Sequence, residues 1–294
     1  MYKIFLCFLL VFPVTIFSQL QQCDIWLMNI SKKAGKMMFE KIENITHSNG
    51  YENQPSFSPG GKILYFTSQS DTTSGSDIYA YDLQTKQIKQ VTFSATSEYS
   101  PIITPSGNAI SVVMVEKDNS QRIWEFPLSG NSPKRVFQRD SIGYYAWMNE
   151  RSVLAFILSD GKTVPERLSV ISKDGTEKKV ADSIGRGMKI FGNSALFVKK
   201  TFFGKYLYST DYSVIKALTK TPGNSEDFAL YKNHVFMADG GLIYAAKLRL
   251  NKHQIVGLDP FVTVMDLAPY GIFKITRIAV SANGKKMAVV TDVQ

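Results

Sequence analysis

A strand-turn-strand unit recurs along this chain at intervals of 40 to 50 residues, and that recurrence constrains the fold more than any single motif. Its clearest copy is residues 53–92. Residues 55–58 read as a short strand. Ser58-Pro59-Gly60-Gly61 reads as a turn in which Pro59 presets φ and the glycines accept the positive φ that follows. Residues 62–68 are a second, apolar strand, and Asp77-Ile78-Tyr79-Ala80-Tyr81-Asp82 alternates like a half-buried third. Residues 87–92 complete a four-stranded meander. One such sheet cannot bury both faces alone, so it needs copies of itself as neighbours.

The apolar residues just before each first turn are Phe57, Ile103, Trp147, Ile190, Leu230 and Val280, which gives six copies. The turn glycine persists as Gly61, Gly107 and Gly284 in the first, second and sixth copies and is displaced or absent in the others. Third strands recur from Asp77, Arg122, Arg167, Tyr206 and Leu242, one fewer than the first strands. The missing one is N-terminal: Asp24-Ile25-Trp26 matches Asp77-Ile78-Tyr79, residues 37–46 match a fourth strand, and the C-terminal copy stops after its second strand. Outer strands at one end and inner strands at the other describe an all-β six-bladed β-propeller of four-stranded blades, whose last blade is shared by both termini. Such closure leaves no open sheet edge, and a β-sandwich does not explain a half-repeat at each end.

Residues 1–18 stand apart. Lys3, an apolar run broken by Pro13, and Ser18 read as a cleaved secretory signal, too short to span a bilayer, which leaves 19–294 as one propeller domain. Export to the periplasm or beyond follows as an expectation. The remaining Cys23 has no internal partner; Gln21 and Gln22 before it fit a packing cysteine better than a lipid anchor. The net charge of +9 is spread over scattered lysine pairs rather than one basic stripe, which speaks against nucleic acid as a partner.

The SFSPGGKILYFTS…DIYAYDL stretch resembles the TolB-type, WD40-like propeller repeat, and Ser281-Ala282-Asn283-Gly284-Lys285-Lys286 is similar to its turn, although Gly60 stands where the repeat usually has Asp. The resemblance implies a binding propeller of the bacterial envelope. TolB's own α/β domain ahead of the propeller is not expected here, because propeller strands begin at Asp24.

In such a ring the fourth-to-first and second-to-third loops share one face. His47 falls on that face, and His234 and His253 on turns of the other, so no histidine triad or metal cage is expected. Neither is a G-x-S-x-G nucleophile elbow present. The expected function is therefore non-enzymatic and cofactor-free: a monomeric module that recognises an envelope protein or peptide through the loops around its channel. The candidate contacts at the channel mouth are Glu52, Asn53, Glu98, Tyr99, Tyr144, Arg186, Glu226, Asp227 and Lys274. Carboxylates there also fit a carbohydrate-binding or carbohydrate-active propeller. Asp71, Asp118, Asp160, Asp239 and Asp292 follow second strands in five blades; they fit either a Ca²⁺ site or turn residues bonded to their own backbone.

Overall fold

The computed structural model describes residues 21–70, 75–130, 132–223 and 225–293. Residues 1–18, expected to be a cleaved signal, and Asp71 lie outside them. Strands β1 (Cys23–Lys33) and β2 (Lys36–Asn44) come first, and blade 1 follows as β3 (Tyr51–Phe57), β4 (Ile63–Gln69), β5 (Asp77–Asp82) and β6 (Ile88–Gln90). Blade 2 comprises β7 (Ser97–Ile103), β8 (Ala109–Val115), β9 (Gln121–Pro127) and the two-residue β10 (Lys134–Arg135). Blade 3 is β11 (Ile142–Asn149), β12 (Ser152–Ile157), β13 (Arg167–Ser172) and β14 (Glu177–Asp182). Blade 4 is β15 (Ile184–Phe191), β16 (Ser194–Thr201), β17 (Gly204–Thr210) and β18 (Ile215–Lys220). In blade 5, β19 (Phe228–Tyr231), β20 (His234–Asp239) and β21 (Leu242–Asn251) are followed by a split outer strand, β22 (Gln254–Leu258) and β23 (Val262–Asp266), which pair with opposite ends of β21.

The ring closes as the half-repeats require. β24 (Ile275–Val280) and β25 (Lys286–Asp292) pair with each other, and β25 pairs antiparallel with β1 from Cys23↔Asp292 to Asn29↔Lys286. The sixth blade is therefore β24-β25-β1-β2. The one strand pairing that joins it to blade 1 among the described residues is a single parallel bridge at Cys23↔Tyr51, so the two remain separate blades.

Period-2 alternation along the second strands explains the core. Leu64 and Phe66 point toward blade 6, whereas Tyr65 points toward blade 2. Every blade thus feeds two interfaces, and the buried apolar residues fall into six clusters, one per blade junction. Cys23 belongs to the blade 6–1 cluster. It is buried, its Sγ donates to the Glu52 carbonyl at 3.1 Å, and burial pushes the thiol up to about 12, which makes it a packing residue. No helix among the described residues is long and apolar enough to cross a membrane.

Candidate functional site

Six inner strands, β3, β7, β11, β15, β19 and β24, line a central channel that holds a cavity of about 460 Å³. Five of them break register with their partner strand, between Asn53 and Ser56, Tyr99 and Ile102, Ile142 and Tyr144, Ile184 and Met188, and Ile275 and Arg277. A bulge re-aims side chains without ending the strand. Gln54 and Ser100 take positive φ at two of these bulges, and both line the cavity.

Polar groups gather in the throat. Arg277 donates from Nη2 to Tyr144 Oη at 2.9 Å and from Nε to Asn53 Oδ1 at 3.2 Å, and its guanidinium lies 5.2 Å from the Tyr144 ring centroid. Arg186 donates from Nη2 to the Thr276 carbonyl at 2.7 Å, while its Nε is shielded from solvent and has no partner among the described residues. Neither arginine is ion-paired among the described residues. Asp227 accepts from the Ile278 N–H at 3.1 Å, and burial raises its pKa against the opposing fields of Lys189 and Arg186. Burial likewise raises Tyr51 and Tyr144, with Arg186 opposing both shifts. The lower channel is apolar, ringed by Phe57, Trp147, Ile190, Leu230 and Val280.

Of the residues expected at the mouth, Tyr144, Arg186 and Asp227 line the cavity, and Asn53, itself buried, orients Arg277. Tyr99 packs against the blade 2–3 core. Glu226 pairs with Lys205 at 2.8 Å and accepts from the Arg186 N–H; burial alone would raise its pKa, but these partners hold it below the usual range. Lys274, just before β24, pairs with Asp292 at the end of β25.

Glu52 and Glu98 require a correction, because both are buried inside blade junctions rather than presented on the rim. Between blades 1 and 2, Asp77 Oδ1 accepts from the Ser94 N–H at 3.2 Å and lies 3.3 Å from Thr92 Oγ1. Glu98 in turn accepts from Thr92 at 3.1 Å and from Ser94 Oγ. The blade 6–1 junction repeats the device: Asp24 binds Thr46 and Ser48, and Glu52 accepts from Ser48 and Ser68. The sequence signature is T-x-S-x-x-x-E, at Thr46…Glu52 and Thr92…Glu98. Each buried carboxylate is in turn satisfied by the hydroxyls around it.

The loop aspartates divide similarly. Asp118 caps the Ser120 N–H, and Asp160 accepts from the N–H groups of Lys162, Thr163 and Val164. Asp239 is exposed and lies against Gly223. No three His, Cys, Asp or Glu side chains converge as a metal site among the described residues.

One feature of this face escaped the sequence reading. Phe93, Phe202, Phe203, Tyr270 and Phe273 are the exposed aromatic side chains of the described residues, with Phe202 96% exposed, and all five sit on fourth-to-first or second-to-third loops. They crown the throat face. Apolar side chains in a loop carry no periodicity, so only the ring topology reveals their common side.

Bulged inner strands, six equivalent interfaces and a shared last blade define a six-bladed β-propeller. Its fold is that of the TolB-like propellers. A protein designated TolB from Agrobacterium tumefaciens matches with TM-score 0.69 at 14% identity, over 93% of this chain and 99% of its own. TolB from Acinetobacter baumannii matches with TM-score 0.59 at 12% identity over 92% of this chain, which spans 64% of that protein. A chain of a nidogen–laminin complex matches with TM-score 0.61 at 10% identity, over 87% of this chain and 97% of its own. No family model and no curated protein matches the sequence.

Proposed function

We propose that this protein is an exported, monomeric and non-enzymatic binding propeller that takes an envelope protein or peptide on the throat face. The observation that carries this reading is the confinement of the five exposed aromatics of the described residues to that face, around a throat whose two guanidinium groups have no carboxylate partner among the described residues. Exposed aromatics rimmed by polar groups are what a protein interface uses. Two unpaired guanidiniums suit an acidic side chain or a terminal carboxylate of the inserted segment.

The carbohydrate-active alternative needs a second free carboxylate facing Asp227. Glu226 is the nearest in sequence, and it is already engaged by Lys205 and the Arg186 N–H. That engagement favours binding over turnover.

A cross-linking pull-down from envelope extract tests the proposal, comparing the unmodified protein with Arg186→Gln/Arg277→Gln and with Phe202→Ser/Phe203→Ser. One dominant protein partner, depleted about tenfold or more by either pair, is the expected result. Equal recovery with all three baits would overturn it.

A further inference from the structure

A second cavity, of about 670 Å³, opens on the opposite face between blades 5 and 6. The β19–β20 turn, the β24–β25 turn and the C-terminal half of β1 form its walls. Buried Phe236 and the partly buried Ile30 and Met37 supply an apolar floor, and exposed Lys32, Lys232 and Lys285 stand around the rim. None of these lysines is ion-paired among the described residues, although Glu40 lines the same cavity.

Three details distinguish this pocket from an ordinary lysine-bearing surface. The Nδ1 atom of His234, in the cavity wall, is shielded from solvent and has no hydrogen-bond partner among the described residues. Burial, with Lys32, Lys247 and Lys232 around it, also lowers the His234 pKa, a sign of the positive field that these lysines set up in the groove. Finally, the Tyr231 ring lies flat against Gly284, at φ 69°, where any Cβ would fall 2.2 Å from the ring. Glycine at that turn therefore keeps an aromatic wall in place beside the cations.

We propose that this groove is a binding site for an organic anion with an apolar body, an aromatic or acyl carboxylate or phosphate, its head held by Lys32, Lys232 and Lys285 and its body on Ile30, Met37 and Phe236. The volume suits a small amphiphile. The lysines act as point charges on a head group of either kind, while the floor selects for the attached apolar body. The site lies across the ring from the throat, so it is independent of the protein-binding face.

The test is a fluorescence titration of the purified protein with two probes that share an aromatic body, anionic 1-anilinonaphthalene-8-sulfonate and neutral N-phenyl-1-naphthylamine. The sulfonate should bind at one saturable site, and Lys232→Gln/Lys285→Gln should weaken it about tenfold while leaving the neutral probe unchanged. Both lysines are exposed, so the variant is expected to fold; Lys232→Gln alone, with about a threefold loss, serves should the pair not. Dodecanoate and dodecyl phosphate should both displace the sulfonate, and the stronger competitor identifies the head group. Absence of saturable binding, equal weakening of both probes, no change in the variants, or no displacement by either amphiphile would overturn the proposal.

Discussion

Two junctions of the ring solve the same problem with different chemistry. Between blades 1 and 2, Thr92 and Glu98 stand six residues apart, and between blades 4 and 5 Thr221 and Asp227 keep that spacing. The first pair is joined through hydroxyls to Asp77 at the head of the third strand. In the second, Tyr206 occupies the position of Asp77, so no acidic acceptor is available; Thr221 bonds the Lys205 carbonyl, and Lys205 pairs with Glu226. Freed from a latch, Asp227 faces the channel beside Arg186. The residue at the head of the third strand and the register of the fourth thus accompany the difference between a carboxylate that holds blades together and one that lines the channel.

Removing each carboxylate should break that comparison most sharply. Glu98→Ala empties a buried carboxyl site and takes one acceptor from Thr92 and from Ser94, and should lower unfolding free energy by about 2–3 kcal/mol in denaturant titration. Glu226→Ala removes a partly buried ion pair between side chains that both reach solvent and should cost less, about 1 kcal/mol. Equal losses would erase the distinction.

The pH dependence sharpens it further. Burial and the neighbouring Asp77 push Glu98 up to about 7, against the bonds from Ser94 and Thr92. Its folded pKa lies above its unfolded value, so its contribution to stability is fully present below about pH 4.5 and is lost as pH rises toward 7. The stability of the unmodified protein relative to Glu98→Gln should therefore fall by about 1–3 kcal/mol across that window. A difference that stays flat contradicts the buried latch.

A smaller effect is expected at Asp227. Burial already disfavours its charged form, so Asp227→Asn should shift thermal stability by less than about 1 kcal/mol while altering partner recovery in the pull-down. Smallest of all on stability, the Cys23 thiol should react with thiol reagents only as fast as the protein opens, because burial keeps it protonated and covered.

The architecture was legible because it is written in repetition. Phe57, Ile103, Trp147, Ile190, Leu230 and Val280 all fall on inner strands, and Asp24-Ile25-Trp26 does pair with the C-terminal strand it was expected to meet. The throat was legible only in part. Tyr144, Arg186 and Asp227 do line the channel, but Arg277 sits inside Ile275–Val280, an apolar strand whose bulge turns it inward, and no alternation pattern announces a bulge. Glu52 and Glu98 stand at the start of first strands, and in the sequence that position points to the rim. The T-x-S-x-x-x-E spacing that buries them is visible in the sequence, yet its meaning depends on an aspartate tens of residues away.

The most direct measurement is site-specific photo-cross-linking in envelope extract, with a benzophenone side chain placed either at Phe202 on the throat face or at Leu128, an exposed residue on the opposite face. The proposal predicts one dominant protein adduct from position 202 and none from position 128. An adduct from 128 alone, or no protein adduct from 202, would contradict the assignment of the throat face as the binding surface.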